Sequence, residues 1–364
     1  MFSKPVLAEL LKAHRPFFND LVELNNSLNQ RFVGLSEEVR CLLLAVASGE
    51  SMLLIGPPGT AKSRLIRAFA NLCNLIDKNE LVLEEKHVEA GKLRPVRRNQ
   101  RYFEYLLTPF TEPSELFGFF DIGKLMSGAK EGATLERLDE GMMQYAEVVF
   151  LDEVFNASSA ILNSLLTFVN ERKFHDRGQS YEVNLSCLFG ATNFPPKRNE
   201  LVAIYDRFLL RCWVENTSAE AVAVGDLLKA GWKETNAASP DKTFPNLLPQ
   251  ASAFRTAVHD LSVADRLSIN PAEEIVSLQM TRLADVVENA RRQRLSLMSN
   301  RRLVRFSKIF LVNALLRAAE QRRDDPEISV SEDLMLLVRF GLDKVPDPEQ
   351  MSRFNSLLVR NGRS

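Results

Sequence analysis

The sequence predicts an α/β fold: a three-layer domain with a parallel sheet, followed by a small all-α domain. Apolar, strand-like runs alternate with helical segments through the first two thirds of the chain, as in a parallel sheet that helices cover on both faces. Two of these runs end in residues suited to phosphate and metal chemistry, after Ile55 and after Leu151. Beyond about residue 250 the pattern is helical only, so the second domain is predicted to lack strands.

Composition bounds the class of protein. The 364 residues suffice for about two domains, and 45% hydrophobic with 26% charged residues is an ordinary globular balance. A net charge of −1 gives no overall attraction to nucleic acid or to an anionic membrane. No apolar run reaches the roughly 18 residues of a membrane-spanning helix, and the N-terminus lacks the features of a secretion signal. The scattered cysteines and histidines have no metal-ligand spacing, which fits a reducing cytoplasm without a zinc site.

The first elements are helical. Leucines recur at helical spacing between residues 6 and 30, and a further helix is predicted from about Ser36 to Ala47 with Ser36 as its N-cap. The apolar run Leu53–Ile55 is predicted to be a buried strand. The segment from Arg64 to Leu72 again has helical spacing.

A glycine-rich loop lies between that strand and that helix. Strand, loop and helix start together form a phosphate cradle, because backbone N–H groups point at the α- and β-phosphates. Lys62 would place its charge beside the β- and γ-phosphates, and the Ser63 hydroxyl can ligate Mg²⁺. The alternative is a turn that binds nothing, which the Lys-Ser pair at the expected offset disfavours. The predicted nucleotide-binding residues of this segment are Gly56, Pro57, Pro58, Gly59, Thr60, Ala61, Lys62, Ser63 and Arg64.

Ala61 is the one departure from the P-loop consensus, since it stands where a second glycine is usual. Alanine can replace glycine there without strain only if its φ is negative, as in the first residue of a helix. We therefore expect a negative φ at Ala61.

A second functional strand is predicted from Glu147 to Leu151, where a β-branched apolar run ends in Asp152 and Glu153. Ligands of an open α/β sheet bind at the carboxyl ends of its strands. Asp152 can hold Mg²⁺ there, and Glu153 can orient and deprotonate an attacking water. The alternative is that the two acids only open the following helix.

The remaining elements follow in order. Residues 74–101 form an acidic and then basic stretch that we interpret as an exposed excursion, whose basic end could contact a polyanion. Strands are predicted at 102–107 and 187–193, a hairpin at 173–185 that turns at 176–178, and helices at 111–118 and 160–171. Residues 233–249 have the composition of a linker, and helices are predicted at 275–287, 301–318 and 332–342.

Several of these segments together resemble a family. The order of Gly56–Ser63, Asp152–Glu153, Ala191–Asn193 and Tyr205–Phe208 resembles that of a AAA+ ATPase. Further segments are similar to the MoxR group, namely Phe110–Gly118, Phe150–Val154, Ala160–Glu171 and Ala203–Arg207. Within that group the chain looks most like the RavA subgroup, whose P-loop also has alanine before the lysine. The resemblance covers nearly the whole chain, from about residue 31 to about residue 343.

Two features depart from the RavA pattern. The stretch at about 74–101 is longer than the subgroup leads us to expect. RavA-type proteins continue into a domain that docks on an inducible lysine decarboxylase, and nothing in this sequence matches that domain. That decarboxylase is therefore not an expected partner.

The resemblance implies roles for residues that spacing does not assign. Asn193 matches sensor 1, which lies between the two acids and the γ-phosphate, and Arg207 matches the arginine finger that reaches a neighbouring subunit's nucleotide. Each has a plainer alternative, since Asn193 could cap the next turn and Arg207 could pair with Asp206.

Nucleotide contacts are also implied at other positions. Arg301 matches sensor 2 on the helical lid, with Arg302 as the fallback. Val33 and Gly34 match the segment that lines the adenine.

The resemblance implies magnesium-dependent hydrolysis of ATP to ADP and phosphate. Its implied catalytic residues are Glu153, Asn193, Arg207 and Lys62, and its implied metal ligands are Ser63 and Asp152. It also implies a homo-oligomeric ring of six subunits in the cytoplasm that remodels a protein partner, together with a protein that contains a von Willebrand factor A (vWA) domain. The two alternatives are a nucleotide-gated scaffold with negligible turnover and a DNA-acting AAA+ protein. The near-neutral net charge and the lack of a recognisable DNA-binding module count against the DNA-acting protein.

The expected organisation has five parts. They are an N-terminal helical segment (1–30), the α/β nucleotide-binding domain (31–215), a linker (216–250), the α-helical lid (251–345) and a C-terminal tail (346–364).

Overall fold

The computed structural model describes residues 3–76, 101–121, 137–176, 179–196, 201–216, 224–226, 228–229, 231, 242–263 and 274–359. These residues form two compact units. The first unit comprises the chain up to Thr60 and from Phe208 onward, and the second comprises Ala61–Arg207.

The elements follow one another along the chain in a mixed α/β order. Up to the middle of the chain they are α1 (Lys4–Ala13), α2 (Arg15–Arg31), α3 (Ser36–Ser48), β1 (Met52–Ile55), α4 (Lys62–Leu72), β2 (Tyr102–Leu106), α5 (Pro113–Phe117), β3 (Phe119–Phe120), β4 (Arg137–Leu138) and β5 (Val148–Asp152). They continue with α6 (Ser159–Glu171), β6 (Lys173–Asp176), β7 (Gln179–Glu182), β8 (Cys187–Thr192), α7 (Val202–Tyr205), β9 (Leu210–Trp213), α8 (Leu247–Val263), α9 (Glu274–Arg292), α10 (Asn300–Glu320), α11 (Met335–Phe340) and α12 (Pro348–Val359).

The first unit joins two parallel strands to a group of helices. β1 pairs with β9, with Met52 opposite Leu210 along the ladder. Helix α10 packs against α2 and α3, and α8 packs against the same two helices. The aromatic rings of Phe18 on α2 and Phe254 on α8 meet edge to face at 5.3 Å, a geometry that aromatic pairs prefer.

The second unit is built on three parallel strands in the order β2-β5-β8. The residues of β5 are buried until its last position, Asp152, which is half-buried. Helix α4 packs on β5 and β8, where Phe69 meets Phe189 edge to face at 5.8 Å. Two antiparallel pairs, β3–β4 and β6–β7, complete the unit.

The predicted α/β class with parallel strands is confirmed, and so is the helical character of the C-terminal region. After Trp213 the described residues contain helices and no strand. One detail is wrong: α3 begins at Ser36 itself, and Leu35 occupies the N-cap position. Helix α8 begins at Leu247, inside the segment predicted as a linker, and α12 lies in the segment predicted as a tail. The domain boundaries themselves stay predictions.

Two further observations concern the whole chain. Most of the charged excursion at 74–101 lies outside the described residues, but Arg101 is described and forms an ion pair with Glu147, with Nη2 2.8 Å from Oε2. None of the helices in the described residues combines the length and the apolar character needed to cross a membrane.

Candidate functional site

The two predicted acids lie where strand β5 ends. Asp152 is the last residue of the strand, and Glu153 follows it in the left-handed region with φ of 51°. The backbone N–H of Glu153 donates a 3.0 Å hydrogen bond to Oδ1 of Asp152. A left-handed glutamate is strained by roughly 1 kcal/mol or more, and strain of this kind clusters at functional sites.

Ser63 and Asp152, the two predicted metal ligands, are hydrogen-bonded to each other. Ser63 lies in the first turn of α4, and its Oγ is 3.1 Å from Oδ2 of Asp152. A hydroxyl and a carboxylate oxygen are both hard ligands of the type that Mg²⁺ takes, usually with waters in its remaining positions. The donor set therefore fits Mg²⁺.

Lys62 is buried beside the same acids. Only 8% of its surface is exposed, an unusual environment for an ammonium group. Burial lowers the pKa of Lys62, whereas the negative charges of Asp152 and Glu153 act in the opposite direction. The second unit thus holds a buried ammonium group beside two carboxylates, and the net negative charge of this cluster suits a divalent cation such as Mg²⁺.

Asn193 contacts the predicted base directly. Its Nδ2 donates to Oε1 of Glu153, because β5 and β8 are adjacent and both end at the same edge of the sheet. The amide group of Asn193 is thus engaged with Glu153, and the neighbouring Thr192 hydroxyl donates a 2.9 Å hydrogen bond to the carbonyl of Phe194. Burial raises the pKa of Glu153, the charge of Asp152 adds to the rise, and Asn193 and Lys62 oppose it.

Asn156 is a site residue that the sequence analysis missed. It ends the short 3-10 turn Val154–Asn156, and its Nδ2 lies 3.4 Å from Oε2 of Glu153. The two carboxylate oxygens of Glu153 are thus each held by an asparagine amide. The available signal was an amide three residues after the acid, which becomes meaningful only once a tight turn after β5 is known.

The loop residues Gly56–Thr60 belong to the first unit. A Cβ on Gly56 would lie 2.0 Å from the carbonyl oxygen of Val214, so only glycine fits at that position. Gly59 has φ of 84°, a conformation that glycine adopts without a steric penalty. The Thr60 hydroxyl donates a 2.9 Å hydrogen bond to the carbonyl of Pro57, which closes the loop on itself and leaves Pro57, Pro58 and Gly59 exposed.

Ala61 contradicts its prediction. Its φ is 60° and its ψ is 20°, so the residue is left-handed rather than helical. Ala61 is the N-cap of α4, and its carbonyl accepts the N–H of Leu65 at 3.0 Å. The chain turns from the loop into the helix at this residue, and an alanine there has a steric cost that a glycine would not have.

Arg207 is half-buried near the end of the second unit. Its Nε is buried without a hydrogen bond to any described residue. None of the ion pairs seen among the described residues involves Arg207, and its pairing with Asp206 stays an untested alternative.

The adjacent residues Arg301 and Arg302 differ in exposure and in contacts. Arg302 is only 3% exposed, and it donates to Oδ1 of Asp343 at 3.0 Å and to the carbonyl of Gly341 at 2.5 Å. Arg301 is exposed in the first turn of α10. Arg302 is therefore committed to a buried network, and Arg301 remains the candidate for ligand contact.

The other predicted contact residues have less distinctive surroundings. Val33 is half-buried and Gly34 is exposed with φ of 82° in the turn between α2 and α3. Arg64 is exposed in the first turn of α4.

Comparison with known families places the sequence. A family model described as "MoxR domain in the MoxR-vWA-beta-propeller ternary systems" matches residues 19–83 and 93–250, more than half of the chain. Two uncharacterized proteins of Methanocaldococcus jannaschii, MJ0812 and MJ0079, are each 39% identical over 191 residues, which are 52% of this chain and 43% of each relative. Structural protein ORF618 of Acidianus two-tailed virus is 28% identical over 53% of this chain and 27% of its own. The chain thus spans less than half the length of these curated relatives.

A solved structure shares the fold. The crystal structure of a "putative ATPase" from Cytophaga hutchinsonii matches with a TM-score of 0.59 and covers 97% of both chains. Its sequence identity of 14% limits this likeness to the fold.

Proposed function

The chain belongs to the MoxR family of AAA+ proteins, and we propose that it is a magnesium-dependent ATPase that hydrolyses ATP to ADP and phosphate. The observation that carries this proposal is the hydrogen bond between Ser63 and Asp152, formed beside the buried Lys62. A hydroxyl, a carboxylate and an ammonium group in one place are what a nucleotide–magnesium complex needs.

The site residues of the second unit each have a chemical role in this proposal. Mg²⁺ bound by Ser63 and Asp152 would neutralise charge on the β- and γ-phosphates. Lys62 adds a positive charge, and its attraction to the phosphates is strong in this buried position because water screens it little. Glu153 accepts a proton from the attacking water, and Asn193 and Asn156 fix the orientation of its carboxylate.

The remaining contacts are proposed from the family order. The backbone of Gly56–Thr60 would bind the phosphates, with Ala61 and Arg64 beside them, and Val33 and Gly34 would line the adenine. Arg301 would contact the nucleotide from the helical lid, which its exposure supports. Arg207 would act as an arginine finger on a neighbouring subunit's nucleotide, which its buried Nε without a hydrogen bond among the described residues supports.

We also propose the cellular setting. The protein would form a six-membered ring in the cytoplasm and remodel a protein partner, together with a vWA-domain protein. The description of the matching family model supports the vWA partner. Placement near the RavA subgroup rests on the alanine before Lys62 and stays a sequence-based proposal.

Phosphate release tests the catalytic part of the proposal. Wild-type protein should turn over ATP in the presence of Mg²⁺, and Glu153→Gln should bind ATP but lose about 10²–10⁴-fold in rate, the typical contribution of acid–base catalysis. Lys62→Ala should weaken ATP binding itself. Glu140→Gln removes an exposed carboxylate of the same unit and should turn over ATP at the wild-type rate.

The scaffold alternative has a distinct signature in the same assay. A nucleotide-gated scaffold would bind ATP and assemble, yet the wild type and Glu153→Gln would release phosphate at the same background rate. That result would exclude the proposed enzyme.

A further inference from the structure

The second unit contains a cavity that shares no residue with the proposed nucleotide site. Its volume is about 340 Å³, within the range of about 300–1,000 Å³ typical of ligand pockets. Helices α5 and α6 and strands β4 and β6 supply its walls.

The chemistry of the lining is cationic. Arg137, Lys173 and His175 supply positive or protonatable groups, and Asn163 and Thr167 supply uncharged polar groups. None of the described residues that line the cavity carries a carboxylate. A single negative group that enters the cavity would therefore meet cationic side chains and groups that can donate hydrogen bonds, and no carboxylate among the described lining residues.

The apolar part of the wall is rigidly built. The ring of Phe117 stacks on that of Phe174 at 4.7 Å. The guanidinium of Arg137 lies 4.1 Å from the ring centre of Phe120 and donates to the carbonyl of Gly118 at 2.8 Å. Arg137 is thereby held in one orientation at the cavity, which lowers the entropy that a ligand would lose on pairing with it.

Exposed apolar side chains continue beyond the cavity. Phe119, Leu138, Tyr145 and Tyr181 are between 44% and 60% exposed. Tyr181 lies directly opposite the lining residue Phe174 in the β6–β7 ladder, so the two side chains share a face. Aromatic residues and arginine are enriched in protein interfaces. A ligand that covers these residues and also fills the cavity is longer than the cavity itself, as a polypeptide segment is.

The surroundings disfavour a polyanion. Glu171 lies 3.6 Å from His175, and Glu182 is opposite Lys173 across the β6–β7 pair. These carboxylates would repel a nucleic acid, which carries a charge on every nucleotide. An isolated carboxylate between Arg137 and Lys173 carries a single charge, so these acids repel it less than they repel a nucleic acid.

We infer that this cavity is a docking site for a segment of a partner protein in which one aspartate or glutamate is flanked by apolar side chains. The carboxylate enters the cavity between Arg137 and Lys173, and the apolar neighbours cover the exposed rings around it. Such binding goes beyond the proposed ATPase activity and does not depend on it.

Peptide selection on the full-length protein tests this inference. A random peptide display library, panned on the immobilised wild type, should return peptides with one acidic residue beside apolar ones. The affinity of a selected, fluorescently labelled peptide is then measured by anisotropy. Replacing its acid with the matching amide should raise Kd about tenfold or more, as should Lys173→Glu in the protein, since a charge-assisted hydrogen bond is worth about that much.

The controls make the outcome decisive. Lys344→Glu reverses an exposed charge in the first unit and should leave Kd unchanged. The inference is overturned if selected peptides lack acids, if they bind Lys173→Glu as tightly as the wild type, or if a single-stranded oligonucleotide displaces them. Glu153→Gln should bind the peptide normally, so loss of turnover and loss of docking are told apart.

Discussion

The amide of Asn193 donates a hydrogen bond to the carboxylate of Glu153. The two residues are 40 positions apart in sequence and meet because β5 and β8 are adjacent parallel strands. This contact places a charge-orienting donor on the proposed base before any ligand is bound.

The first prediction follows from that contact. Asn193→Ala should lower the rate of ATP turnover by about 10–100-fold, the usual effect of removing a side chain that orients a reactive group. Affinity for ATP should change little, because Lys62 and Ser63 are untouched. Phosphate release and nucleotide titration measure the two quantities. In the Glu153→Gln background the same substitution should have almost no further effect on rate, since both residues act as one unit.

The second prediction concerns backbone strain at Ala61. Since φ is 60° there, Ala61→Gly should relieve roughly 1–2 kcal/mol of steric strain. The greater freedom of glycine in the unfolded chain offsets about 0.4–1 kcal/mol of this gain. The variant should therefore be more stable than the wild type, by up to about 1.5 kcal/mol in urea unfolding. Ala253→Gly, at an exposed position inside α8, should be destabilised by about 0.5–1 kcal/mol instead. Equal destabilisation of both variants would contradict the left-handed geometry.

The third prediction separates two adjacent arginines. Arg302→Ala removes a buried donor to Asp343 and should lower the free energy of unfolding by about 1–3 kcal/mol. Arg301 lies on the surface, so Arg301→Ala should change the free energy of unfolding by no more than about 0.5 kcal/mol. Its expected effect is on ATP turnover. Denaturant unfolding and phosphate release on both variants check the assignment, which fails if the two effects are exchanged.

The fourth prediction tests whether Arg207 acts on a neighbouring subunit. Lys62→Ala subunits keep the arginine and lack a working pocket, whereas Arg207→Ala subunits keep the pocket and lack the arginine. An arginine supplied in trans can contribute about 10³–10⁵ in rate, so mixing the two inactive proteins should restore part of the activity. The restored activity should fall on dilution. Mixed oligomers that form, as judged by native mass measurement, yet stay inactive would rule out the trans role.

The fifth prediction concerns the pH dependence of stability. Glu38 on α3 is 5% exposed, and burial raises its pKa from 4.5 to about 7, with the charges of Glu37 and Glu215 adding to the rise. The folded state therefore holds this proton more tightly than the unfolded state. Stability should fall as pH rises from about 4.5 through 7, by at most about 3 kcal/mol from this group.

Glu38→Gln removes the titrating group and provides the check. The fall in unfolding free energy between pH 5 and pH 8 should be smaller in this variant than in the wild type. Glu140, an exposed acid of the second unit, provides the control, since Glu140→Gln should retain the pH dependence of the wild type. If the unfolding free energies of the wild type and of Glu38→Gln fell equally with pH, Glu38 would be ionised alike in the folded and unfolded states, which would contradict the prediction.

Much of the fold was determined by local sequence patterns. The buried strands at Leu53–Ile55 and Val148–Leu151, the helix after the glycine-rich loop and the helical C-terminal region all follow from the spacing of apolar residues. That spacing reflects which side of an element faces the core, and it is a property of neighbouring residues. Gly56 was recognised from the local motif, but the close approach of its backbone to Val214, which allows no other residue, is a tertiary contact.

The candidate site was identified in part from sequence, because its principal residues follow strands or open helices in recognisable patterns. The sequence alone identified Lys62, Ser63, Asp152 and Glu153 as site residues. The family order added Asn193, but not its hydrogen bond to Glu153.

Only the tertiary structure decided the rest. The sign of φ at Ala61, the burial of Arg302 rather than Arg301, the amide of Asn156 on Glu153 and the cavity between α5 and α6 are all set by contacts with residues outside the local pattern. A backbone angle or the exposure of a side chain depends on what packs against it in space. Sequence spacing carries no record of those neighbours, and so these features could be learned only from the folded chain.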